Sequence, residues 1–210
     1  MSDLHLGHHI SQQFNEELED VRNKVMQMGG IVEEQLGKAV RALVKGDTKL
    51  AEEVEANDYR VNRLEVDIDE ECTHIVARRQ PAASDLRLVM AVIKTITDLE
   101  RIGDEAEKIG RLAICLSEKD ITFKVKYAGI KHLGDYVRQM VSNALNAFAR
   151  LDPDACLQVL KNSMDLLPDI AFDHLHGLRN QRDLSRHINC RTGFYRLRIG
   201  ADRLRCIFCR

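Results

Sequence analysis

Apolar residues recur at alternating spacings of three and four along the first third of the chain: Phe14, Leu18, Val21, Val25, Met28, Val32, Leu36, Ala39 and Leu43. That period matches one face of an α-helix and predicts a helix over 12–45. Gly46-Asp47 ends it, and Asp47 is placed to cap the next. A second seam, Leu50, Val54, Asn57, Val61, Leu64, Ile68, Cys72 and Ile75, runs to about Arg79 before Pro81 stops it. A third helix, capped by Ser84 or Asp85, continues through Val89, Val92, Ile96, Leu99, Gly103 and Ala106 to about Leu116. Long helices with short connections pack as an antiparallel up-down-up bundle, and seams of this spacing favour crossing angles of about +20°.

After a polar linker over 117–126, a fourth helix is expected from about Tyr127, and here the chain repeats itself. At a displacement of 105 residues Met28-Gly29 matches Leu133-Gly134, Val32 matches Val137, and Leu36 matches Val141. Ala39-Val40 meets Ala144-Leu145, Ala42-Leu43 meets Ala147-Phe148, Asp47 meets Asp152 and Val54 meets Val159. Seam, turn and cap recurring together mark an internal duplication. The expected architecture is all-α, tandem antiparallel three-helix bundles with the second incomplete: a first bundle over 8–118, the start of a second over 126–165, and a divergent or non-native tail over 166–210.

The tail separates because the match fails beyond about Met164. The same displacement sets Ile170 against Glu65, Arg205 against Glu100 and Cys209 against Asp104, and it drops Pro168 into mid-helix. Residues 174–210 hold nine Arg, two Asp and neither Lys nor Glu, a net of about +7 against about −9 for 1–173.

Composition narrows the function classes. Charged residues make up 30%, aromatics 5%, and the formal net charge is −2, which offers no nucleic-acid footprint. Met1–Ser11 is polar, unlike a secretory leader, and the longest apolar run, Leu88–Ile93, is too short for a bilayer. A cytoplasmic protein is expected, whose six cysteines are thiols or ligands rather than disulfides.

The chemistry concentrates in Asp98-Leu99-Glu100-Arg101-Ile102-Gly103-Asp104. Glu100 and Asp104, four apart, project from one helical face, where two carboxylates repel unless a positive charge lies between them. Glycine costs a helix interior about 1 kcal/mol relative to alanine, so Gly103 implies a close neighbour. Folding helices two and three back near Pro81 places Glu100 level with Arg63 and Asp104 level with Tyr59, with Asp58, Asn62 and Glu65 within a turn. The turn at Gly46 brings Gly30–Glu34 of the first helix to the same layer. Oxygen donors of this kind suit Mg, Ca, Mn or Fe. The plainer alternative is a solvated charged face, with Arg101 and Lys108 bracketing the pair.

Other motifs carry less. Asp85 at the start of the third helix reads as a cap and dipole partner. Glu71-x-x-His74 has the form of a di-iron ligand motif, but such sites need two copies. His187-x-x-Cys190 followed by Cys206-x-x-Cys209 has zinc-ribbon spacing without turn glycines beside the cysteines. There is no nucleophile with its base and no phosphate-cradling glycine loop. No catalytic residue is therefore assigned, and the chain is not expected to be an enzyme. The competing class is a di-metal carboxylate bundle acting as an enzyme or metal store.

His9-Ile10-Ser11-x-Gln13-Phe14-Asn15, Met28-Gly29-Gly30, Arg79-Gln80-Pro81-Ala82-Ala83-Ser84-Asp85-Leu86-Arg87 and Leu99–Asp104 together closely resemble the PhoU family. The likeness runs from residue 8 to about 165. It implies two pseudo-twofold-related three-helix bundles, each binding a metal cluster through Glu/Asp-x-x-x-Asp motifs. Here that pattern falls on Glu100 and Asp104. Glu65-x-x-x-Asp69 also fits it, and register favours Glu65. The implied metal set is Glu100, Asp104, Asp58 and Glu65, holding divalent or trivalent ions such as Fe, Mn, Mg or Zn.

The resemblance further implies a negative regulator of the phosphate regulon that acts by contact. Its partners would be the ATPase subunit of the phosphate ABC transporter and a membrane sensor histidine kinase, with the protein peripheral to the membrane through them and usually a homodimer. A second Glu-Arg-Ile-Gly-Asp belongs near residue 205. Only Arg196-Leu197-Arg198-Ile199-Gly200-Ala201-Asp202 stands there. A reading-frame change between about Met164 and Phe172 would account for the loss of Lys and Glu and the gain of Arg and Cys.

Overall fold

A computed structural model describes residues 4–118 and 128–165. The regular elements among them are five α-helices: α1 (Leu4–Lys45), α2 (Thr48–Arg79), α3 (Ala83–Glu118), α4 (Ala128–Arg150) and α5 (Pro153–Asp165). α1, α2 and α3 pack on one another, α4 lies along α1, and α5 folds back on α4. The tail and its His/Cys spacing lie outside the described residues.

The seam expected of α1 is the buried one. Val21, Val25, Met28, Val32, Leu36 and Ala39 are essentially inaccessible, and they meet Ile68 of α2 and Ile96, Leu99 and Ile102 of α3 in one core. Side chains of this size contribute about 1.5–3 kcal/mol each when fully buried. In α2 the seam differs from expectation by one residue. Asp58, not Asn57, continues from Val54 to Val61 as a buried position, while Asn57 turns back to donate its Nδ2 to the carbonyl of Glu53 at 2.7 Å. From Val54 the helix allows a step of three or four, and packing against α3 chose four.

Helix boundaries follow local chemistry. Asp47 accepts from the Leu50 N–H at 3.1 Å, the N-cap the sequence predicts. α2 ends at Gln80 in the left-handed region (φ 46°), just before Pro81. α3 begins at Ala83, so Ser84 and Asp85 lie inside its first turn; Asp85 acts on the helix dipole rather than as the cap. α1 starts at Leu4, ahead of its apolar seam, because a periodic seam reports packing and polar residues can extend a helix beyond it.

The duplication is visible bond by bond. Gly46 (φ 67°) and Leu151 (φ 51°) occupy the same left-handed position after α1 and α4. The Asp47 N–H reaches the Ala42 carbonyl at 3.0 Å, and the Asp152 N–H reaches the Ala147 carbonyl at 3.0 Å. Asp152 then caps α5 through the Ala155 N–H at 3.0 Å, as Asp47 caps α2 through Leu50.

The contact between α1 and α4 obeys the same pseudo-twofold relation. A Cβ on Gly29 would lie 2.4 Å from Leu145 Cδ2, and a Cβ on Gly134 would lie 2.6 Å from Val40 Cγ1. Gly29 and Gly134 are repeat-related, as are Val40 and Leu145, so each helix offers one notch and one knob to the other. Arg22 closes the far end of this seam by donating Nη2 to the Ala149 carbonyl at 2.8 Å. α1 is consequently buried on two faces, one toward its own bundle and one toward α4.

Candidate metal centre

The groove between α2 and α3 is lined by carboxylates at helical spacing: Asp58 and Glu65 from α2, and Glu100, Asp104 and Glu107 from α3. Of the four residues the sequence singles out, Asp58 and Asp104 fall into one tight group. Asp58, Asp104 and Glu107 each offer an oxygen within 4.8 Å of the other two. Glu65 and Glu100, half-buried, stand further along the groove, close enough for their charges to act on each other and on Asp104.

Negative charge dominates the electrostatics of the groove. Burial pushes the Glu100 carboxyl up to about 7, and the charges of Asp104, Glu65 and Asp58 add to it against a smaller opposing effect of Arg101. Asp58 is raised by burial and then by Glu107 and Asp104, with its hydrogen bond from Asn62 and the charge of Arg111 opposing. Glu65 is raised chiefly by burial, with Asp69 and Asp104 adding to it and the Thr97 hydroxyl and Arg101 opposing. Of the nearby cations, Arg101 pairs with Asp98 at 3.1 Å and Lys108 is 3.0 Å from Glu105 but 3.9 Å from Asp104, while Arg111 pairs with Glu107 inside the group and opposes the rise of Asp58.

Beneath the carboxylates the core contains polar atoms that find no partner. Asn62 donates to Asp58 Oδ2 at 3.1 Å, but Oδ1 is buried and unpaired. Gln35 of α1 is 3% exposed, and neither its Oε1 nor its Nε2 has a hydrogen-bond partner. A Cβ built on Gly103 would sit 3.6 Å from Asp58 Oδ1, 3.6 Å from Gln35 Oε1 and 3.4 Å from Val61 Cγ1. Gly103 thus leaves a small space on which two unpaired buried oxygens border. Unpaired buried polar groups cost about 1–3 kcal/mol each. Crowded carboxylates, raised pKa values and orphaned oxygens together fit a hard cation with oxygen ligands.

Two contributors escape the sequence motifs. Glu107 lies three residues after Asp104, outside any Glu/Asp-x-x-x-Asp pair. Gln35 lies one residue past the Gly30–Glu34 stretch that the register places in this layer; Gly30 itself is exposed and has no neighbour within 4 Å of a Cβ. The competing motif goes unused: Glu71 is paired with Lys24 across to α1, and His74 is exposed. Cys72, buried, has its thiol pushed up to about 12 by burial and then by Asp69 and Glu71, which leaves it without thiolate at neutral pH.

Residues 25–113, which include Gln35 and all five carboxylates, match the family model of the PhoU domain. The chain is 54% identical over 154 residues to the phosphate-specific transport system accessory protein PhoU homolog of Pseudomonas putida, covering 73% of this chain and 60% of that protein. The PhoU homolog of Pseudomonas aeruginosa is 53% identical over 154 residues, with 73% and 63% covered. The chain therefore spans about three-fifths of the length of these curated relatives. The crystal structure of PhoU from Pseudomonas aeruginosa superposes with a TM-score of 0.82 at 42% identity, over 93% of this chain and 95% of that one. On the shared helical-bundle fold and this level of identity, the chain belongs to the PhoU family.

Proposed function

We propose that the chain is a non-enzymatic regulator of phosphate uptake that works by contact. Its carboxylate groove would bind metal ions and present them to partner proteins. The observation that carries the metal reading is the convergence of Asp58, Asp104 and Glu107 above a buried, unpaired Asp58 oxygen. Glu100 and Glu65 would extend the site along the groove. A bound divalent ion would offset the carboxylate charge that Arg101 and Arg111 leave uncompensated, and so switch the charge of one bundle face. Mg, Mn, Fe or Zn would serve.

The partner reading comes from the relatives, which are named as accessory proteins of the phosphate-specific transport system. By that analogy the face meets the ATPase subunit of the phosphate ABC transporter and the sensor histidine kinase of the phosphate regulon. It would hold the kinase in its repressing state when phosphate is plentiful. Among the described residues no helix is long and apolar enough to cross a membrane, so attachment would be peripheral, from the cytoplasm and through those partners. A homodimer would double the docking face.

The test is expression of this chain in a bacterium lacking its own PhoU protein, with a phosphate-starvation reporter as output. Wild type should restore repression in phosphate-rich medium, and the Asp58→Asn, Asp104→Asn double variant at equal abundance should not. Repression by neither form, with both folded and abundant, refutes the regulatory reading; equal repression by both refutes a role for the groove.

A further inference from the structure

We propose that Gln35 and Gly103 form the floor of the cation site: the Gln35 amide oxygen and Asp58 Oδ1 receive the hydrogen bonds of a water carried by the bound ion, in the space that Gly103 leaves open. This rests on the carboxylate groove binding a metal. It adds a contribution from α1, where the Glu/Asp-x-x-x-Asp motifs provide none.

Three observations converge on that floor. Gln35 is buried to 3% exposure with both amide atoms unpaired, although a buried amide normally has partners for its oxygen and its NH₂. Asp58, 8% exposed, keeps Oδ1 unpaired while Asn62 occupies Oδ2. Both unpaired oxygens stand 3.6 Å from the position of the Cβ that Gly103 lacks, and Gly103 is bonded directly to Asp104. Because neither Gln35 atom is committed, turning its oxygen toward the groove breaks no hydrogen bond. The site is polar and enclosed, and it borders on enough acceptors for a water held by an oxygen-seeking ion.

Glycine at 103 is otherwise unexplained. A Cβ there would make ordinary van der Waals contacts at 3.4–3.6 Å, so helix packing alone would tolerate alanine, which is also the better helix former. What alanine would remove is the space itself. Groups that hydrogen-bond a metal's ligands, without ligating the metal themselves, commonly set its affinity by about 10- to 100-fold.

The experiment uses full-length protein stripped of metal and titrated with manganous chloride by calorimetry, with thermal melts of each metal-free form. Wild type is compared with Gly103→Ala, Gln35→Leu and Asp104→Asn. The expected result is a loss of about 10- to 100-fold in Mn²⁺ affinity for Gly103→Ala and for Gln35→Leu, with metal-free melting temperatures no lower than wild type. Loss of binding in Asp104→Asn alone, with Gly103→Ala and Gln35→Leu binding as wild type, overturns the floor while leaving the carboxylate site intact. Weaker binding accompanied by lower metal-free melting temperatures in both floor variants also overturns it, because the loss then comes from the fold. No Mn²⁺ binding by wild type overturns the floor and the metal reading together.

Discussion

Replacing Asp104 by Asn should make the metal-free protein more stable while abolishing the site. Asp104 presents an oxygen within 4.8 Å of Asp58 and Glu107, and the cation that reaches it, Lys108, is 3.9 Å away and shared with Glu105. Two unit charges at that separation repel by about 1 kcal/mol in water and about 3.5 kcal/mol at an effective dielectric of 20. The Asp104 side chain is 39% exposed, which favours the lower end, and the exposed Lys108 pair returns a few tenths of a kcal/mol. The net gain is about 1 kcal/mol, or about 2–4 °C in melting temperature for a chain of this size.

The gain should depend on pH. The Glu100 carboxyl, raised to about 7, binds protons in the folded state that the unfolded chain releases from about 4.5 upward. Wild-type metal-free stability therefore falls as pH rises through that window. With Asp104 neutral, its contribution to that rise disappears and the fall should be shallower. Melts of both proteins in chelator at pH 5 and pH 8 decide it: the variant should melt higher at both, and by a wider margin at pH 8, where Glu100 is ionised. A variant that melts lower at pH 8, or a difference independent of pH, refutes the reasoning.

Further outcomes follow from the helix contacts. Gly30→Ala should stabilise by about 1 kcal/mol in a denaturant titration, since nothing lies within 4 Å of the new Cβ. Gly134→Ala should destabilise by about 1–3 kcal/mol because its Cβ would strike the stiff, β-branched Val40; Gly29→Ala should cost less, as the Leu145 end can rotate away. Leu151→Gly should add about 1 kcal/mol, relieving a left-handed non-glycine residue whose side chain is largely exposed. Translating the coding DNA across codons 160–210 in its other two frames should yield an amphipathic helix with a second acidic motif. Two frames devoid of such a helix would leave the tail as a true divergence.

Much of this was legible because long helices with short turns leave little freedom. Once Gly46 and Pro81 set the turns, counting back along each helix brings Asp58 and Asp104 to one level, and the structure places them together. The repeat was equally plain, since Gly29 and Gly134 stand at one displacement and receive each other's repeat-mates. What escaped lay within one helical step. A seam permits three or four, and Asn57 reads as well as Asp58 until α3 is in place. Level matching by turn ends carries about one residue of error, which separates Glu34 from Gln35. Glu107 pairs locally with Arg111 and so reads as surface charge, until α2 brings Asp58 against it.

If the groove between α2 and α3 is a cation site, the purified protein should carry metal there. Wild type and the Glu100→Ala, Asp104→Ala double variant, purified alike without chelator, would be compared by elemental analysis and circular dichroism. At least one bound ion per wild-type chain is expected, most of it lost in the variant at unchanged helicity. Equal metal in both proteins, or none in the wild type after incubation with Mg, Mn, Fe and Zn salts, would contradict the cation site.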